Sequence, residues 1–117
     1  MDDKLLYFGE VTLGSESAGY SANEVNFEVD SYDLSNLEDA ILVVIANGAV
    51  TAAEISLYSG AATAPATALH TYPAIAAMAD GDRVELSLPL TCSQYLRVGG
   101  EGTGKIIAWI EEGGKSA

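Results

Sequence analysis

Apolar residues recur at every second position in three stretches of this chain, the spacing of strands with one face on a core and one in water. Between Glu24 and Asp30, Val25, Phe27 and Val29 point one way while Glu24, Asn26, Glu28 and Asp30 point the other. Ala53, Ile55 and Leu57 alternate with Glu54, Ser56 and Tyr58 in the same manner. Val84, Leu86, Leu88 and Leu90 alternate with Arg83, Glu85, Ser87 and Pro89, and the proline on the polar side fits a strand end or edge, where a missing donor is tolerated.

Two further runs do not alternate. Ala40 to Ala46 and Ile106 to Ile110 are apolar on both faces, which predicts strands covered on both sides. No amphipathic helix is available to supply that cover. The stretch from Ala61 to Ala79 is rich in alanine, but Pro65, Pro73 and several threonines break helical periodicity. The cover is expected either from that excursion, as a long loop, or from another copy of the chain. Turn signals at Gly14-Ser15, Ala18-Gly19, Asn47-Gly48, Ser59-Gly60 and Asp80-Gly81 separate the runs. Seven or eight short strands punctuated in this way predict an all-β fold, an antiparallel β-sandwich or jelly roll. The 117 residues suit one domain with an independent core, with 1–9 as an N-terminal arm and 111–117 as a flexible tail.

Residues Gly99 to Lys105 come close to a phosphate-cradling loop, since glycines lead into a lysine after the strand-like Tyr95 to Val98. That chemistry needs Ser or Thr next and then a helix N-terminus. Ile106, Ile107, Ala108, Trp109 and Ile110 follow instead, residues that lose rotamer freedom in a helix and pack well on a pleated surface. Glu101 adds negative charge where a phosphate would sit. The glycines therefore predict a hairpin turn between two strands.

Charge narrows the partners. Seventeen acidic residues against five basic ones give a formal net charge of -12, a surface that repels nucleic acid and anionic membrane. Glu24, Glu28, Asp30, Asp33, Glu38 and Asp39 form the densest acidic patch, but no calcium-loop pattern accompanies them. Cys92 is the only cysteine and His70 the only histidine, so neither a disulfide nor a multi-histidine metal centre can form within the chain. No cofactor is expected. The longest apolar run is too short to span a bilayer. Leu5 to Phe8 behind Asp2 and Asp3 does not read as a signal peptide, so synthesis in a cytoplasm is expected.

Leu5, Leu6, Tyr7 and Phe8 are four apolar residues close to a terminus, where disorder is the usual expectation. They predict either an ordinary first strand or an arm that docks on a neighbouring subunit with Tyr7 and Phe8 as anchors. With Ile107 and Trp109 from the two-sided run, they are the candidate interface residues.

The order of the pieces resembles the small capsid cement, or decoration, proteins of tailed bacteriophages, of the Bordetella-phage cement type. The resemblance runs through Asp3-Lys4-Leu5-Leu6, Ile41 to Ile45, Glu54 to Ser59, Pro73-Ala74-Ile75, Gly81-Asp82-Arg83, Leu88-Pro89-Leu90, Gln94 to Val98 and Gly104 to Ile110. It implies a jelly-roll or β-sandwich subunit that forms a homotrimer on the outer surface of the virion, bridges major capsid protein subunits and stabilises the shell. No catalytic residues come with it. The alternative reading is a ligand-binding β-sandwich such as a carbohydrate-binding module or phage adhesin, with Tyr20, Tyr32, Tyr58 and Tyr72 as a platform. An enzyme is not expected, because no G-x-S-x-G or H-E-x-x-H pattern is present and Cys92 has no evident base.

Overall fold

Nine strands form in residues 6–112, the part of the chain that the computed structural model describes. They are β1 (Tyr7–Thr12), β2 (Gly19–Tyr20), β3 (Val25–Asp33), β4 (Ile41–Ala46), β5 (Thr51–Gly60), β6 (Ala68–Thr71), β7 (Arg83–Leu86), β8 (Thr91–Thr103) and β9 (Lys105–Glu111). A 3-10 turn at Leu34–Asn36 separates β3 from β4, its start held by the Asp33 carboxylate accepting from the Ser35 amide. The first sheet has the order β1-β9-β4-β7 and the second the order β2-β8-β5-β6, with β3 also paired to β8. All named strand pairs are antiparallel. The two sheets enclose one core in which Phe8, Leu42, Val44, Ile55, Leu57, Leu96, Val98 and Ile106 are fully buried. The fold is the all-β sandwich that the alternating runs predict.

The glycine-rich segment joins two strands, but it is not a hairpin. Gly99 to Thr103 continue β8 in the second sheet, and Gly104 turns the chain into β9 of the first. Asn47-Gly48 does the same between β4 and β5, with Gly48 at φ 96°. These corners lie together at one end of the sandwich. The Asn47 amide donates to the Lys105 carbonyl, the Leu13 amide to the Gly104 carbonyl and the Gly102 amide to the Gly14 carbonyl. Three passages between the sheets thus meet backbone to backbone, which leaves no room for a side chain at Gly14, Gly102 or Gly104. At Gly104, with φ 116°, a Cβ would come within 2.6 Å of the Ala49 carbonyl oxygen.

Other departures have local causes. Val29 does not share the inward face of Val25 and Phe27 and is 48% exposed. The β3–β8 register shifts between Asn26 and Ser31, where Glu28 sits at φ 63° and donates its amide to the Asn26 side chain. That bulge breaks the two-residue period. β7 ends at Leu86, ahead of Pro89, and Leu90 is 76% exposed. The Ala61 to Ala79 excursion does not lie over the first sheet. It runs antiparallel beside β5, first as β6, then through bonds from the Tyr72 amide to the Ile55 carbonyl, Ile75 to Ala53 and Met78 to Val50. Tyr72 and Met78 insert into the core along the way.

Candidate functional site

The pairing of β9 with β1 and β4 fixes what the outer face of the first sheet presents. Tyr7, Trp109 and Val43 stand in one row across three strands, and Glu10, Ile107 and Ile45 in the next. Beyond them lie Ile41 beside Glu111, and Glu85 and Arg83 on β7 opposite Val43 and Ile45. Their neighbours in sequence, Leu42, Val44, Ala46, Ile106, Ala108 and Ile110, fill the core. The two-sided character of β4 and β9 is therefore real: one face makes the core and the other builds an apolar centre with charged residues around it.

Val43 is fully buried although it points away from the core. The strand register gives the reason. Arg83 on β7 reaches Glu111 on β9 at 3.2 Å, with β4 lying between them, so the ion pair passes across the strand that carries Val43. The same guanidinium binds Glu85 at 3.0 Å, and the Trp109 indole Nε1 donates to the other oxygen of Glu111 at 3.3 Å. The hydrogen bond that Arg83 donates to Glu85 leads the effects that raise the Arg83 pKa, with Glu111 adding to it. This bracket covers part of the face from within the chain, in place of the loop expected from Ala61 to Ala79. The remainder stays accessible: Tyr7 is 42% exposed and Ile41, Ile45, Ile107 and Trp109 are half-buried.

The candidate interface residues divide between two environments. Tyr7, Ile107 and Trp109 share the outer face, whereas Leu6 and Phe8 are buried in the subunit's own core. Ordinary pleating puts Tyr7 and Phe8 on opposite sides of β1, and the bulge between Tyr7 and Gly9 then turns Glu10 outward. Leu5 lies outside the described residues, as does the tail beyond Glu112. Residues 7–9 of the expected arm belong to β1, paired in its own sheet.

The remaining chemical candidates are structurally engaged. Burial pushes the Cys92 thiol up to about 11, and His70 on β6 packs edge-on against Tyr72, with β5 lying between its strand and the β8 strand that carries the thiol. In the acidic patch Asp33 caps the 3-10 turn, and its hydrogen bonds with Ser35 hold its carboxyl below the usual range. Among the described residues no group of three or more His, Cys, Asp or Glu side chains is gathered to hold a metal ion. Asp80 and Asp82 bind the backbone amides of Gly48 and Ala79. The four-tyrosine platform does not form, because Tyr72 is in the core and Tyr32 stacks on Phe27 with centroids 4.2 Å apart. Sequence reading missed the role of Arg83. Its alternation with Val84 marks it as outward-facing, but only the pairing of β4 between β7 and β9 makes it a bracket.

Compared with protein-family models and with curated proteins, the sequence matches none.

Proposed function

We propose that the protein is a structural virion protein, a capsid cement or decoration protein that binds as a trimer to the outside of a mature phage shell and bridges major capsid subunits. The outer face of the first sheet carries this reading. Its centre is apolar, with Tyr7, Ile107 and Trp109 accessible, and its rim holds Arg83 and Lys105 against Glu10, Glu85 and Glu111. Among the described residues, two bases against three acids leave that face at a formal -1, in a chain of -12. So small a charge opposes contact with another protein only weakly, and an apolar patch rimmed by polar groups is the usual form of such a contact. The segments that carry the resemblance, Ile41 to Ile45 and Gly104 to Ile110, include the strands that build it.

The test combines light scattering across a concentration series with cosedimentation on expanded capsids. A trimer in solution or on the shell is expected. Tyr7→Ala should weaken that association while leaving thermal unfolding of the subunit nearly unchanged, whereas Phe8→Ala should destabilise the subunit itself by about 3–5 kcal/mol. A monomer at every concentration that also fails to bind capsids sinks the proposal.

A further inference from the structure

The second sheet carries, on its own outer face, a cluster that the reading above does not use. Tyr58 on β5 stands opposite Arg97 on β8, and Tyr20 on β2 stands opposite Gly99, two residues further along the same face. The missing side chain at Gly99 gives both rings their place. A Cβ there would lie 2.9 Å from the Tyr58 ring and 3.0 Å from the Tyr20 ring. The rings meet edge to face, with centroids 5.0 Å apart and planes at 78°.

Arg97 is held over this pair at two points. Its guanidinium carbon sits 3.6 Å from the centre of the Tyr20 ring, and its Nε donates to the Pro65 carbonyl at 2.6 Å. Fixing a long side chain costs rotamer entropy, and the fork so fixed ordinarily meets a carboxylate. Here it meets none. Among the described residues no acid pairs with Arg97, although the chain has 17 acids and Arg83 takes two of them. The hydroxyls of Tyr20 and Tyr58 likewise find no protein partner among the described residues, and Tyr20 is 36% exposed. The surface therefore presents aromatic area, two free hydroxyls and an oriented cation with its terminal N–H groups unused.

We propose that this cluster is a shallow binding site for an acidic sugar, a pyranose bearing a carboxylate. The guanidinium fork matches both carboxylate oxygens, the Tyr58 ring offers an apolar surface to the C–H face of the sugar, and the two tyrosine hydroxyls donate to or accept from its hydroxyls. A neutral sugar would leave the cation unpaired. A dianionic phosphate suits the site less well, since a chain of -12 repels a dianion more strongly than a monoanion while the site offers a single cation. The site is independent of capsid binding and stands or falls separately from it.

Titrating the isotope-labelled full chain with D-glucuronate, D-glucose and acetate, followed by amide chemical shifts, tests it. Glucuronate should give saturable shifts at Tyr20, Tyr58, Arg97 and Gly99, with at least tenfold weaker binding of glucose and of acetate. Arg97→Gln should weaken glucuronate binding at least tenfold. Arg97→Lys should do so too, because an ammonium keeps the charge but not the fork. Thermal unfolding of both variants establishes that they are folded. Glucose or acetate binding as tightly as glucuronate overturns the proposal, as does undiminished binding by a folded Arg97→Gln or the lack of any saturable shift.

Discussion

At the scale of single residues, two buried groups set how the fold answers alkali. Cys92 on β8 and Tyr72, just after β6, line the core on opposite sides of β5, and burial pushes the thiol up to about 11 from its ordinary 9.0 and the phenol up to about 12 from 10.0. The Tyr72 hydroxyl also donates to the Ser87 carbonyl at 2.6 Å, a bond that ionisation would turn into two oxygens facing each other without a proton. In the unfolded chain both groups lose their protons near their ordinary values, so above pH 9 the unfolded state binds fewer protons than the folded one and stability falls. The contribution is complete below pH 9 and is lost as pH rises through about 11 and then about 12. Urea midpoints should therefore be level from pH 7 to 9 and decline from there to pH 11. In Cys92→Ala the decline should begin about one unit later, set by Tyr72 alone; a midpoint that holds steady to pH 11 in the wild-type chain would rule this out.

Among the elements, the corners at one end of the sandwich hold the sheets in relation to each other. Gly104→Ala places a methyl carbon against the Ala49 carbonyl and Val50, at a φ that L-residues rarely adopt, and should cost at least about 2 kcal/mol in urea unfolding. Gly48→Ala has nothing within 4 Å of its new Cβ and bears only the cost of its positive φ, about 1 kcal/mol. Equal losses at the two sites would mean that close packing of the corners contributes nothing. The same corners mark where the sequence stops being legible. Asn47-Gly48 and the Gly99 to Gly104 cluster announce turns by their local chemistry, but a turn within a sheet and a passage between sheets use the same residues. Alternation places Ala53, Ile55 and Leu57 in the core, since Glu54 to Gly60 pair with β8 in unbroken register and the shift in this strand falls earlier, between Thr51 and Glu54. It fails for Val29, because the bulge at Glu28 rests on a long-range partner, Gln94 donating to the Asn26 side chain. The outer face of β4 and β9 is legible as apolar, while its bracket is not: Arg83 and Glu111 are 28 residues apart and meet only because β4 separates their strands. Arg97 and the two tyrosines that gather at Gly99 are hidden for the same reason.

For the whole molecule, charge and apolar surface act against each other in any association between copies. Each chain carries -12, so copies approaching in dilute salt repel over a Debye length of about 30 Å at 0.01 M, against about 8 Å at 0.15 M. The first sheet's outer face, at a formal -1 with an apolar centre, draws its attraction from burying Tyr7, Ile107 and Trp109, which salt does not weaken. Adding salt removes the repulsion and leaves the attraction, so self-association through this face should strengthen from 0.01 M to 0.3 M NaCl. The Arg97 site has the opposite sense locally, because its attraction for a carboxylate is the ion pair that salt screens. Sedimentation velocity at the two salt concentrations, in the wild type and in Tyr7→Ala, separates these forces. Growth of the oligomer with salt that Tyr7→Ala abolishes identifies an apolar contact on the first sheet. Dissociation with salt would instead place the contact among charged rims, with Lys105, which pairs with no acid among the described residues, as the first side chain to examine.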